Sequence, residues 1–432
     1  MPKTITGEHA RAVHRAPETP PAPGGGRIVT LDLIRGVAIL GILAINVSGF
    51  AGPAIGALSP DFPSPSNFAN EAAWGFGFLF FEGKMRALFA MLFGAGIALQ
   101  CERMDTAGRD GDVIQVRRLS WLMVFGTLHY LLLWWGDILF VYACCGLALL
   151  FLRRLSGPVL LGIAAGISLT ATAIDFWSTL PLVRAEEAVR LGTASLSQQQ
   201  DVFARLELYR QNVAAQALLY HSDFTDIALT KLRGDPFWLF RMTAHAWSEV
   251  LPLMLIGVVL LRGGFFSGTW PRRRICALGL GAGATGLALT SAVLWWSWSR
   301  HFPPIAMAAL LGEGLFVPHL LTALGYASLL ILAAPRLIRT GLGRRLMATG
   351  RVAFSNYIGT SLLMCWLFYG WGLGLYGQVG PLGQWLFVAM GCTAMLGWSE
   401  LWLSRFQRGP LELLWRALVL QKRLKNRLPA TA

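Results

Sequence analysis

Residues 27–50 read RIVTLDLIRGVAILGILAINVSGF, and this stretch decides the fold. It opens with a basic residue, places Asp32 and Arg35 three apart, continues as Leu, Ile, Val, Ala and Gly, and then meets Asn46. At helical spacing Asp32 and Arg35 share a face and can neutralise each other. The apolar run has the length and texture of a helix crossing hydrocarbon. An asparagine at that depth needs a partner, and two readings stand for Asn46: a helix-packing contact, or part of a functional site.

The rest of the chain repeats the pattern. Of 432 residues, 55% are hydrophobic and only 14% charged, with a mean hydropathy of +0.53. A soluble domain would carry more charge. The apolar residues form blocks near the ~20 residues needed to cross a bilayer, without the alternation of a transmembrane barrel. We therefore expect an all-α polytopic transmembrane helical bundle of about ten spans: 36–53, 72–99, 119–135, 137–152, 157–176, 243–261, 275–297, 305–333, 353–373 and 382–403.

Orientation follows from the connections. Arg103, Arg109, Arg117, Arg118, Arg153, Arg154, Arg272 to Arg274 and five arginines between Arg336 and Arg351 fall on one side, with Arg300 alone in the short loops of the other. The positive-inside rule then predicts both termini in the cytoplasm. Residues 1–26, rich in Pro, Gly and Ala, read as a disordered basic tail. The membrane domain is expected over 27–421, with a helical loop at 177–241 on the outer side, an interfacial helix at 405–421 and a basic tail at 422–432. The net charge of +14 sits between apolar blocks, so it points to topology and a lipid bilayer as partner, with no nucleic acid. Six cysteines lack zinc-ligand or secreted-framework spacing, so neither a metal site nor a disulfide scaffold is expected.

Polar residues at depth carry the candidate chemistry. In FEGKMRALFAMLFGAG, Glu82 and Arg86 are four apart and can pair, while Lys84 points elsewhere. Lys84 is read either as a ligand for an anionic substrate group or as a cation snorkelling to the headgroups. In GTLHYLLLWWGDILFVYACCGL, His129 lies in apolar text beneath Trp134 and Trp135, which are expected to mark the outer interface, and Asp137 follows Gly136. A histidine there is a general base near neutral pH if a carboxylate orients it, and a satisfied core residue otherwise. Glu313 and His319 are candidates for an inward polar face, and Asn356 and Glu400 for ties between helices. Walker, nucleophile-elbow, HExxH and dinucleotide motifs are absent from the sequence.

Taken together, LDLIRGVAILGILAIN from Leu31, FEGKMRALFAMLFGAG from Phe81, RLSWLMVFGTLHYLLLWWGDILFVYACCGL from Arg118, GRVAFSNYIGTS from Gly350 and WSELWLSRFQRGPLELLWRAL from Trp398 resemble the YeiB-like family of bacterial inner-membrane proteins. That family has a domain of unknown function and is grouped with transmembrane acyltransferases. The resemblance implies a multi-pass protein of the bacterial cell inner membrane and an acyl-transfer role. The first span is also similar to that of envelope-sugar acyltransferases, which carry a histidine at the position of Asn46. It is similar again to heparan glucosaminide acetyltransferases, which keep the asparagine and place a histidine in the following outer segment. This chain has no histidine between Val47 and Glu71.

The base role then falls to His129, with Asp137 as its orienter and Asn46 as a hydrogen-bond donor. Arg35, Glu82, Lys84 and Arg86 form the substrate-binding set. No cofactor is required; acyl-CoA is the candidate donor and an envelope hydroxyl or amine the candidate acceptor. The competing expectations are a transporter or flippase for an anionic or lipid-linked solute, and a non-catalytic membrane partner. Sequence spacing leaves the oligomeric state open, and also whether these polar residues converge.

Overall fold

The computed structural model describes residues 28–428, so the expected 1–26 tail and the last four residues lie outside the described part of the chain. The described residues form seventeen α-helices and one π-helical turn. In chain order they are α1 Val29–Ala51, α2 Ala54–Leu58, α3 Phe68–Phe80, α4 Lys84–Thr106, α5 Gly111–Leu132, α6 Leu139–Leu152 and α7 Gly157–Leu191. These are followed by α8 Leu196–Tyr220, α9 Phe224–Gly234, α10 Trp238–Arg262, α11 Arg272–Trp298 and α12 Pro304–Ala309. The π turn Leu310–Gly314 precedes α13 Phe316–Leu337, α14 Gly341–Arg351, α15 Ala353–Phe368, α16 Pro381–Leu403 and α17 Pro410–Leu420.

Six of these helices are long and apolar enough to cross a membrane: α1, α7, α10, α11, α13 and α16. The remaining four expected spans differ for identifiable reasons. The 72–99 block is broken at Phe81–Gly83, where Gly83 takes a positive φ and the polar Glu82 and Lys84 turn to separate partners. Its second half, α4, carries charge at both ends, and so does the start of α5. The apolar α6 and α15 have only 14 and 16 residues, about 21 and 24 Å of helix. The 305–333 block is divided by the π turn, so α13 alone keeps the length of a span.

The helix of the opening stretch is the centre of the bundle. α1 is buried along most of its length and contacts α4, α13, α14, α15 and α16. Its crossing with α14 is a backbone contact. A Cβ on Gly36 would lie 2.0 Å from the Leu346 carbonyl oxygen, and one on Gly350 2.0 Å from that of Asp32, so only glycine lets these helices meet. Elsewhere polar side chains tie helices together. Asn356 Nδ2 donates to Ser399 Oγ at 3.0 Å, joining α15 to α16, and Arg345 of α14 pairs with Glu400 of α16 at 2.8 Å.

The arginine-rich end is closed by ion pairs and by α17. Arg153 pairs with Asp105 and Asp112, and Arg262 with Glu102. The 405–421 segment, expected to lie along the membrane surface, is tied to the bundle through α17. Glu412 accepts the Phe354 and Ser355 amide N–H groups, and Trp415 Nε1 donates to the Arg118 carbonyl at 2.9 Å. At the opposite end the 177–241 stretch continues α7 and folds back as α8 and α9. Lys231 of α9 is buried and donates to the Tyr130 and Leu133 carbonyls at the end of α5, which fastens this layer to the bundle.

Candidate functional site

His129 sits in the last turn of α5, and Asp137 follows in the short turn that leads into α6. The hairpin brings His129 Nδ1 and Asp137 Oδ2 to 2.7 Å, with both side chains shielded from solvent. Asp137 Oδ1 accepts the Phe140 amide N–H at 2.8 Å, which fixes the carboxylate against the start of α6. Gly126, one turn before His129, makes this closure possible, because a Cβ there would lie 2.5 Å from Phe140 N and 2.7 Å from Asp137 Oδ1. The carboxylate on Nδ1 favours the tautomer with Nδ1 protonated and leaves Nε2 as the basic nitrogen. His129 Nε2 is buried and has no hydrogen-bond partner among the described residues.

Two cavities flank this pair. Toward the arginine-rich end a cavity of about 190 Å³ is lined by Arg35, Arg118 and Arg351 and by the aromatic rings of Phe89, Phe93 and Trp415. Among the described residues its one carboxylate is Glu412, which is occupied by backbone amides and the Ser355 hydroxyl. Toward the opposite end a wider cavity of about 580 Å³ carries Asn46, His245, the carboxylates Glu82, Glu249 and Glu313, and the arginines Arg86 and Arg241. Ile138, directly after Asp137, and Tyr142, one turn further along α6, line both. Tyr357 lines the basic cavity, and its ring centroid lies 5.0 Å from that of His129. The histidine is therefore one side chain behind the wall that separates an arginine-lined volume from one of mixed charge richer in carboxylates.

The other expected site residues divide between these volumes. Arg35 faces the basic cavity and pairs with Asp32 at 3.3 Å. The Asn46 side chain faces the wide cavity and makes no hydrogen bond among the described residues, which sets it apart from a packing asparagine such as Asn356. Arg86 pairs with Glu82 at 3.2 Å, as its spacing suggests, and also with Glu249 of α10 at 3.2 Å. Sequence spacing could not supply that second partner, 163 residues away.

Lys84 is corrected: it is neither a substrate-facing nor a snorkelling cation. It is fully buried, and Nζ donates to the Phe78 carbonyl at 2.7 Å, filling an acceptor in the last turn of α3 where the helix breaks. Trp134 is corrected as well, since it is buried rather than at a lipid interface. Its indole and that of Trp135 both donate to the Gly49 carbonyl, at 3.2 and 3.3 Å, and so hold the end of α1 that carries Asn46. Of the two later candidates, Glu313 faces the wide cavity and accepts from Ser248, whereas His319 is buried behind the Phe81–Gly83 break, against Gly83.

The family described as "Protein of unknown function (DUF418)" matches residues 260–422. The protein YeiB of Escherichia coli (strain K12), described as uncharacterized, is 31% identical over 395 residues, which cover 91% of this chain and 97% of that protein. The chain belongs to the YeiB family. A second family relative, the uncharacterized YxaH of Bacillus subtilis (strain 168), is 29% identical over 402 residues, 90% of this chain and 94% of its own. An uncharacterized 39.9 kDa protein from Bacillus acidopullulyticus is 26% identical over 406 residues, 92% of this chain and 95% of its own. No solved structure matches. The matched 260–422 region of this YeiB-family chain supplies Arg351, Tyr357 and Glu412 to the basic cavity, while His129 and Asp137 lie before it.

Proposed function

We propose that this protein is a multi-pass bacterial inner-membrane acyltransferase, with about ten membrane-crossing segments counting the shorter helices, and with both termini in the cytoplasm. The observation that carries the reading is the His129–Asp137 pair, with Nε2 unpartnered among the described residues, behind the wall shared by an arginine-rich cavity and one of mixed charge richer in carboxylates. The arginine-lined cavity suits a donor that joins a phosphorylated portion to an acyl thioester, such as acyl-CoA, reaching it from the cytoplasmic side. The wide cavity suits an envelope acceptor hydroxyl or amine.

In the proposed step the acceptor heteroatom bonds to the thioester carbonyl carbon while His129 Nε2 takes the acceptor proton. Asp137 stabilises the imidazolium, the C–S bond then breaks, and the thiol leaves with the proton returned by His129. Arg86 is held by two carboxylates, so the Asn46 amide is the better-placed donor to the developing oxyanion. Arg35 acts with Arg118 and Arg351 on the donor's phosphate groups.

The test is transfer of radiolabelled acyl groups from acyl-CoA by the purified protein in lipid vesicles. His129→Ala should abolish transfer or thioester hydrolysis while leaving donor binding intact, and unchanged turnover would remove this mechanism. A second reading, transport of a lipid-linked or anionic solute, is favoured by the broken helices at Phe81–Gly83 and Leu310–Gly314, beside the wide cavity. It predicts movement of donor-like anions across the vesicle membrane without cleavage of the thioester.

A further inference from the structure

A third cavity, of about 540 Å³, lies between α7 and α10, beside the wide cavity. One wall is the face of α7 that runs from Gly166 through Thr170 and Ile174 to Ser178, and the other is Ala244 to Ser248 of α10. Thr170, Ile174, Ser178 and Trp247 are exposed, so the groove opens on the flank of the bundle rather than at either end. It shares His245 and Glu313 with the wide cavity, so the two volumes meet at those side chains.

The depth of that junction is fixed by the two helices. Gly157 of α7 and Arg262 of α10 start at one level, because Arg262 donates to the Arg153 and Leu155 carbonyls. Asp175 lies eighteen residues along α7 and His245 seventeen back along α10. At the helical rise both climb about 25–27 Å, near the thickness of the hydrocarbon core. The polar junction thus sits at the headgroup level of the leaflet opposite the arginine-rich end, with the apolar part of the groove beneath it.

Two carboxyl side chains meet at the junction. Asp175 lies against Gly312, the residue before Glu313, and Glu313 is more than nine-tenths buried on the π turn with Ser248 donating to it. Two carboxylates are therefore presented at headgroup depth beside an apolar trough, with His245 alongside as a hydrogen-bonding group for phosphate oxygen. We propose that the groove between α7 and α10 admits, laterally from the bilayer, a lipid whose headgroup carries a primary ammonium, and seats that ammonium on Asp175 and Glu313. Its phosphate then lies toward His245, and its acyl chains run along Thr170 and Ile174. The assignment concerns binding and is independent of whether the wide cavity supports acyl transfer or transport.

The experiment is native mass spectrometry of the full-length protein released from vesicles of equal phosphatidylethanolamine, phosphatidylcholine and phosphatidylglycerol with identical acyl chains. The wild type should retain phosphatidylethanolamine at least fivefold over phosphatidylglycerol, with phosphatidylcholine near the lower value. Asp175→Asn with Glu313→Gln should bring the three lipids to parity. Ala171→Trp, which fills the trough without touching either carboxylate, should reduce retention of phosphatidylethanolamine while the melting temperature stays at the wild-type value. Three results would overturn the proposal: equal retention of all three lipids by the wild type, phosphatidylcholine held as well as phosphatidylethanolamine, or an Ala171→Trp protein that is folded and retains the lipid unchanged.

Discussion

Replacing Asp137 with asparagine tests the site at its most constrained atom. The carboxylate bridges His129 Nδ1 at 2.7 Å and the Phe140 amide at 2.8 Å, and it is fully buried. Asparagine keeps the shape, and its carbonyl oxygen can still accept from Phe140. Its amide then faces Nδ1 and donates, which forces the imidazole proton onto Nε2. A protonated Nε2 cannot act as a base. Loss of a charge-assisted bond costs about 1.5–3 kcal/mol of stability, and the loss of general-base catalysis lowers turnover by about 10²–10⁴-fold. Two measurements separate these effects. Nitrogen-15 spectra of histidine-labelled protein should move the His129 signals from the Nδ1–H to the Nε2–H tautomer, and acyl transfer should fall while donor binding is kept. If Asp137→Asn shifts the tautomer and transfer continues at the wild-type rate, the reasoning that makes His129 a base is refuted.

Three further outcomes follow from the packing. Gly350→Ala places a methyl 2.0 Å from the Asp32 carbonyl oxygen, and the α1–α14 crossing must open at a cost of about 1–3 kcal/mol, read as a lowered unfolding temperature; a change within ~0.5 kcal/mol would show that the crossing is not tight. Arg86→Met leaves Glu82 and Glu249 without their shared cation; because the three side chains are partly exposed, the loss should be about 2 kcal/mol, and Glu249→Gln in the same chain should restore part of it. Burial lowers the Lys231 ammonium from its usual value of 10.5 to about 8, so between those values the unfolded chain holds the proton that the folded one has released. Stability should therefore rise with pH across that window, by about 3 kcal/mol at most, and Lys231→Met should abolish the rise in melts recorded from pH 7 to 11.

How far the site could be read depended on spacing along the chain. Glu82 and Arg86 are helical neighbours, so their pairing was legible, as was Asp137 as a partner for His129 across a tight hairpin. Glu249, which completes the Arg86 cluster, and Tyr357, which lies on the His129 ring, come from helices far along the chain, and nothing in their local sequence points back to α4 or α5. Lys84 misleads for a related reason. Two residues from each of Glu82 and Arg86, it points away from their shared face and so reads as a cation free for a ligand or for headgroups, but the break at Gly83 turns it to the carbonyl of Phe78.

The sequence by itself determined that the chain is helical, with several helices long and apolar enough to cross a membrane, because period, run length and charge placement are local properties. Tertiary structure alone decided which helices are broken, that the Asn46 side chain faces a cavity without a partner among the described residues, and that the histidine–carboxylate pair stands between an arginine-lined volume and one of mixed charge richer in carboxylates. Those features depend on which distant helices meet, and helix order in space is set by the sum of side-chain contacts rather than by any one segment.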